Sequence, residues 1–254
     1  MHDGAISSLS IQNRILSLLP PDEFDFILPR LQPVTLATGT LFAHAGDRLQ
    51  NCFFPENGMV SLLSVTENGH TCEAGYTGFE GFIGLPVIFK KNEMPYQALV
   101  QAPTNGFKVD VGVVSELFRR NGVFHDAVLR FAYVIVRQMA QTCVCNHFHP
   151  IQARLCRWLS VMVERSGNRH LTLTQEFLAH MLGVQRTSVG MIAGELQKNE
   201  IIRYRRGNMQ IIDYDRLVAS ACECYRIVAD EYRDYLNDSS ISAMSDVRQT
   251  LSTI

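Results

Sequence analysis

The stretch from Leu171 to Ile212, LTLTQEFLAHMLGVQRTSVGMIAGELQKNEIIRYRRGNMQII, constrains this chain more than any other. Its spacing predicts two helices joined by a tight turn, followed by a short hairpin. Thr174 is placed to cap the first helix, and Glu176 lies in its first turn, where the helix dipole favours negative charge. Leu178, Leu182 and Val184 supply apolar contacts on either side of Gly183, which can take the positive φ that a three-residue turn needs. Ala179 is small where a second helix must cross closely. Val189, Ile192 and Leu196 recur at intervals of three and four, giving one buried face to a helix from about Gln185 to Asn199. The opposite face presents Arg186, Thr187, Ser188, Met191 and Glu195.

Two short apolar runs then flank Gly207-Asn208, the pattern of a hairpin. Arg203, Arg205 and Arg206 crowd its first arm and tip. Helix, turn, helix and basic hairpin make a winged helix-turn-helix. The second helix suits a DNA groove, and the wing suits the phosphates beside it. The bland alternative is a helical hairpin with a solvated charged loop.

The chain has 254 residues, 46% of them hydrophobic and 19% charged, with a formal net charge of −2. A polyanion must therefore be held by a local patch rather than by the chain's overall charge. No apolar run is long enough to span a bilayer. The first residues lack the basic start and apolar core of a secretory signal. Seven cysteines without framework spacing point to a reducing cytoplasm. Paired carboxylates, a nucleophile elbow and a phosphate loop are all missing, so an enzyme is not expected.

The pattern along the chain predicts an α+β protein. Two short amphipathic helices, Ile11 to Leu19 and Asp22 to about Leu28, lead into a glycine-rich region of short β-rich runs up to Asp110. That region reads as a compact sandwich or roll, with Asn68-Gly69 as one hairpin turn. A long helix is expected from Val123 to about His147, ended by Pro150, with His149 as a hinge. Val128, Ala132, Ile135, Met139 and Cys143 follow an alternating four-three spacing and mark a dimer seam. A further helix runs to about Arg165, and another from Tyr214 to Leu236. The expected units are 1–122 (roll and leading helices), 123–149 (dimer helix and hinge), 150–236 (winged domain) and 237–254 (mobile tail).

This order of parts, with LTQEFLAHMLGV and the weaker Gly81-Phe82-Ile83-Gly84, resembles the Crp/Fnr family of bacterial transcription regulators. The resemblance implies an N-terminal roll like a cyclic-nucleotide-binding domain, a homodimer, and binding of double-stranded DNA at a near-palindromic site, with RNA polymerase as a further partner. It places Gln185 to Met191 in the major groove. Arg186 matches the family's guanine-reading arginine, and Ser188 sits where a hydroxyl meets a phosphate. The family's usual glutamate is Thr187 here, its second arginine is Met191, and its capping serine is Gln185. Threonine and methionine suit a thymine methyl, so the half-site should differ from the family's usual one.

The effector pocket also departs from the pattern. It maps to Gly84, Leu85, Tyr96 and Gln97. Leu85 replaces the ribose-binding glutamate, and Tyr96 and Gln97 replace the arginine and serine that hold the cyclic phosphate. An anion without a cation or several N–H donors is not held, so control by cyclic AMP is not expected. No cysteine precedes Cys52, so the N-terminal iron–sulfur cluster of oxygen-sensing members is not expected either. No cofactor is therefore predicted.

Cys143-Val-Cys145-Asn-His147-Phe-His149 holds four metal-type ligands in seven residues. On one helix, Cys143 and His147 share a face and Cys145 and His149 point the other way. One ion cannot gather all four, which leaves Cys143 and His147, bridging two dimer helices, as candidates for a metal that is not itself expected. Cys222-Glu-Cys224 meets the same objection. The rival function is a ligand-, redox- or metal-responsive binding protein whose winged domain makes protein contacts.

Overall fold

The glycine-punctuated runs between Gln32 and Asp110 become seven strands. They are β1 (Gln32–Leu36), β2 (Leu41–Ala43), β3 (Asn51–Pro55), β4 (Met59–Val65), β5 (Thr71–Thr77), β6 (Gln97–Ala102) and β7 (Thr104–Asp110). The structure is a computed structural model describing residues 11–238. The strands form two antiparallel sheets, in the orders β1-β7-β3 and β2-β6-β4-β5. The Asn68-Gly69 turn joins β4 to β5 as expected, with Gly69 N donating to the Thr66 carbonyl at 2.9 Å.

Cys52, Phe53 and Phe54 on β3 are all fully buried, so both faces of this strand are covered. Phe54 stacks on Phe82 with ring centroids 5.0 Å apart, and Phe82 meets Phe131 at 5.9 Å. Each such ring contributes roughly 1.5–3 kcal/mol by leaving water. Gly84 has φ +124, and a Cβ there would come within 2.5 Å of the Cys52 sulfur. The close approach of the Gly81–Gly84 turn to β3 therefore requires glycine.

Two short helices precede the roll, α1 (Arg14–Ser17) and α2 (Pro21–Ile27). After it come α3 (Val111–Arg119) and the long α4 (Val123–Phe148). Glu23 of α2 is buried and accepts from Phe124 N at 2.8 Å. An acid in the first turn of α2 thus satisfies the N-terminus of α4, where the dipole favours it. α4 ends at His149, whose extended backbone (φ −100, ψ 141) precedes Pro150 as expected. α5 (Ile151–Ser166) follows, and Trp158 donates its indole N–H to buried Glu73 of β5 at 3.0 Å.

The single helix expected from Tyr214 to Leu236 is two, α8 (Tyr214–Ala219) and α9 (Cys224–Asn237). Ser220 donates its hydroxyl to the Arg216 carbonyl at 2.8 Å, closing α8, and the chain turns before α9. α9 then packs back along α4. Gln138 Nε2 donates to Tyr232 Oη at 3.0 Å, and Arg137 pairs with Glu231 at 3.2 Å. Tyr235 donates to the Glu80 carbonyl at 3.0 Å, reaching the roll itself. Of the expected tail, 239–254 lies outside the described residues, and Asn237 is the last residue of α9. No helix among the described residues is long and apolar enough to cross a membrane.

Candidate nucleic-acid interface

The helix-turn-helix forms where the spacing places it, as α6 (Gln175–Leu182) and α7 (Arg186–Lys198). Thr174 Oγ1 accepts from Phe177 N at 3.0 Å, the cap expected of it. Gly183 is left-handed at φ +63 and its Cβ position lies 3.0 Å from Cys72 of the roll, so glycine serves both the turn and the packing. Gln185 makes no side-chain cap, as its replacement of serine implies. Val189, Ala193 and Leu196 are the buried residues of α7, and Ile192 is half-buried. Arg186, Thr187, Met191 and Glu195 face solvent, with Ser188 half-buried beside them. Met191 is 72% exposed, a large apolar side chain left without a cover.

The wing is a three-stranded sheet rather than a lone hairpin. β8 (His170–Thr172) pairs with β10 (Asn208–Ile211), and β10 with β9 (Ile202–Arg205). The expected Gly207-Asn208 turn is shifted by one residue. Arg206 (φ 50) and Gly207 (φ 81) make the turn, and Asn208 already pairs with Arg205. Both turn residues need positive φ, as a tight two-residue hairpin demands. Arg203 and Arg205 lie two apart on one face of β9, with Arg206 at the tip, and all three are exposed.

Tyr204 holds the wing against the helices. Its hydroxyl donates to the Leu173 carbonyl at 2.8 Å, and its N–H donates to Gln197 Oε1 of α7 at 2.5 Å. Burial pushes the Tyr204 phenol up, and the nearby Arg186 charge acts against that shift. Arg186, at the start of α7, is therefore close enough to the wing for its charge to act on Tyr204.

α6 also rests on the roll. Thr71 Oγ1 donates to the His180 carbonyl at 3.3 Å, and Gln101 Nε2 reaches the Met181 sulfur at 3.3 Å. Arg154 of α5 donates to the Leu182 carbonyl at the C-terminal end of α6. The face of α7 carrying Arg186 and Met191 is left open.

Residues 153–220 match the family model of the Crp-like helix-turn-helix domain. The chain carries a Crp-like helix-turn-helix domain. Solved structures of the same fold include a Crp/Fnr-family transcriptional regulator from Eubacterium rectale. It has a TM-score of 0.63 and 14% identity, covering 81% of this chain and 96% of that one. FixK2 from Bradyrhizobium japonicum has a TM-score of 0.63 and 11% identity, covering 76% and 98%. The c-di-GMP-responsive global regulator CLP from Xanthomonas campestris has a TM-score of 0.59 and 15% identity, covering 76% and 99%. No curated protein sequence matches the chain. The matched domain is thus a Crp-like helix-turn-helix, and these solved structures share the fold of the chain.

In this Crp-like frame, the residues mapped to the effector pocket separate. Leu85 and Tyr96 line a cleft of about 330 Å³ between the roll and α4, with Pro86, Phe89, Ile135 and Met139. Gly84 and Gln97 do not line it. Lys91 and Glu93 bring opposite charges to the same wall. Burial pushes the Tyr96 phenol up to about 12, so it stays a neutral hydroxyl.

The expected seam on α4 needs correction. Val128 and Ile135 are almost wholly buried, Ala132 is buried and Met139 half-buried, all within this chain. The open apolar stripe runs one residue later, through Leu129, Tyr133, Val136, Ala140 and Val144, and of the expected seam residues it keeps Cys143, which is exposed. Tyr133 and Val136 are 59% and 63% exposed. α4 carries three faces: one on the roll, one under α9, and this one in solvent. Neighbouring pairs such as Val128-Leu129 and Ile135-Val136 are apolar in both registers, so periodicity could not choose between them.

The metal candidates change as well. Cys143 and His147 face solvent, whereas Cys145 and His149 turn inward to meet Cys222 and Cys224. Ligand atoms of these four residues all lie within 4.8 Å of one another. Sγ of Cys145 and Sγ of Cys222 are 3.4 Å apart, and that hydrogen bond holds the Cys145 thiol below its ordinary range. Within its own segment each pair is half a site. The break between α8 and α9, which brings the second pair to the first, carries no periodic signal.

Proposed function

We propose that this chain is a sequence-specific transcription regulator that binds double-stranded DNA as a homodimer and is not controlled by cyclic AMP. One observation carries the reading. The uncovered face of α7 (Arg186, Thr187, Ser188, Met191) adjoins an exposed wing bearing Arg203, Arg205 and Arg206, within a Crp-like helix-turn-helix domain.

α7 enters the major groove. Arg186 pairs bidentately with O6 and N7 of a guanine, and Thr187 and Met191 pack on thymine methyls. Gln185, Ser188 and Thr174 meet the groove edge and phosphates, and the wing arginines run along the backbone. Two copies join through the Leu129, Tyr133, Val136 and Ala140 stripe of α4. A two-fold dimer then reads two half-sites of a near-palindrome. Residues 150–236 act as the DNA-reading unit, and α4 with its hinge at His149 sets its spacing from the partner's. The cleft beside Leu85 and Tyr96 suits an apolar effector, because its lining is mostly apolar and the charge of Lys91 there is opposed by that of Glu93.

Binding-site selection from a random duplex pool, with purified protein and no added ligand, tests this reading. The expected result is an enriched two-fold symmetric motif. Failure to bind any duplex in a salt-sensitive way would overturn it and favour a winged domain that contacts protein.

A further inference from the structure

We propose that Cys145, His149, Cys222 and Cys224 form a closed, tetrahedral site for one zinc(II) ion, which staples the C-terminal end of α4 to the start of α9. Neither the helix-turn-helix nor the effector cleft uses these residues, and the proposal stands apart from the DNA-binding reading.

The ligand set fits one ion of this kind. Three thiolates and one imidazole make a structural zinc set, with Zn–S near 2.3 Å and Zn–N near 2.0–2.1 Å. A tetrahedron of those bonds places sulfurs about 3.8 Å apart and a sulfur and a nitrogen about 3.5 Å apart, so the four groups need shift by only a few tenths of an ångström to about 1 Å to close on an ion. Here Cys145 Sγ to Cys222 Sγ is 3.4 Å, Cys224 Sγ to His149 Nδ1 is 3.4 Å, and all four atoms fall within 4.8 Å. An iron–sulfur cluster assigns its ligands to different irons and spreads them further apart. With Cys145, Cys222 and Cys224 all buried, the site has no open position for a substrate.

The surrounding groups are those that orient metal ligands. His149 Nε2 lies 3.1 Å from Glu223 Oε1, which leaves Nδ1 free to face the sulfurs. A carboxylate on the far ring nitrogen fixes the tautomer and raises the basicity of the ligating one. Glu223 sits between the two cysteines in sequence, so one short turn supplies two ligands and the support for a third. Gln141 Nε2 donates to Cys224 Sγ at 3.0 Å, a bond that favours the thiolate.

Charge balance supplies an independent argument. Arg154 and Arg157 are buried, and the Nε of each has no hydrogen-bond partner among the described residues. Arg157 lies within electrostatic reach of Glu73, Cys145 and Cys222, and Arg154 of Cys145 and Cys222. Three thiolates around a divalent ion carry a net single negative charge. That charge lies within reach of the two guanidinium groups and offsets part of their buried positive charge, which neutral ligands would not do.

The test is metal content of the full-length protein, purified anaerobically under reducing conditions. The wild type should hold about one zinc per chain. Cys143→Ser, at the exposed cysteine outside the cluster, should keep it, and so should His149→Cys, which preserves a four-ligand set. Cys224→Ser should release zinc to a chromophoric chelator at least tenfold faster. Cobalt(II) added to stripped wild-type protein should give the visible bands of a tetrahedral thiolate site, a readout independent of variant folding. Wild-type protein without stoichiometric zinc and without those cobalt bands overturns the proposal. So does a Cys145–Cys222 disulfide in the anaerobic protein, or zinc loss from Cys143→Ser alone.

Discussion

Tyr232 on α9 donates its hydroxyl to the Tyr76 carbonyl of β5 at 3.1 Å, and that hydroxyl in turn accepts from Gln138 Nε2 of α4 at 3.0 Å. Gln138 also accepts from Tyr76 N at 2.8 Å, so the roll, α4 and α9 close one buried polar ring. The two tyrosine rings stack at 5.9 Å. Tyr232→Phe keeps the ring and removes the hydroxyl, leaving Gln138 Nε2 and the Tyr76 carbonyl short of a partner. A loss of about 1–3 kcal/mol in denaturant unfolding is expected. Unchanged stability would show that water replaces the hydroxyl.

The two registers of α4 give opposite expectations. Val136→Glu places a charge in the apolar stripe and should convert a dimer to a monomer in sedimentation equilibrium. Ile135→Ala should leave the dimer intact and cost about 2–5 kcal/mol in unfolding, because Ile135 is a core residue. Dissociation with Ile135→Ala, and none with Val136→Glu, would return the seam to the Val128–Ile135 register.

The wing arginines should act without regard to sequence. Arg205→Ala or Arg206→Ala should weaken all duplexes by a similar factor and reduce the salt slope by about 0.9 for each phosphate no longer neutralised. A selective change at one base pair would mean that the wing reads bases.

Cyclic AMP should produce no saturable heat in calorimetry and no change in DNA affinity. The cleft pairs apolar Leu85 and neutral Tyr96 with a lysine–glutamate couple, which leaves little net positive charge for a phosphate. Saturable binding would contradict this.

The parts legible in the sequence are those set by short-range spacing. Thr174, Gly183 and the Val189–Leu196 repeat specify cap, turn and buried face within about twenty residues, and each forms as expected. Pro150 likewise fixes the end of α4 through its effect on the preceding residue. What is hidden depends on contacts between distant segments. β8 is three residues long and exists because β10 pairs with it. The open stripe of α4 is displaced from the periodic one because the helix buries two faces, one of them under α9. The Cys/His cluster joins segments more than seventy residues apart, so neither half looks complete alone. The wing turn lies one residue earlier than its glycine suggests because Arg206 adopts positive φ, a conformation usually left to glycine or asparagine.

The account rests most heavily on α7 reading bases through Arg186, so the deciding measurement is binding-site selection with Arg186→Ala beside the wild type. The variant should lose preference for guanine at one position in each half-site, with the rest of the motif kept. Its affinity for the wild-type site should fall by about 1–3 kcal/mol. An unchanged base preference at every position would contradict the assignment of Arg186, and with it the placement of α7 in the groove.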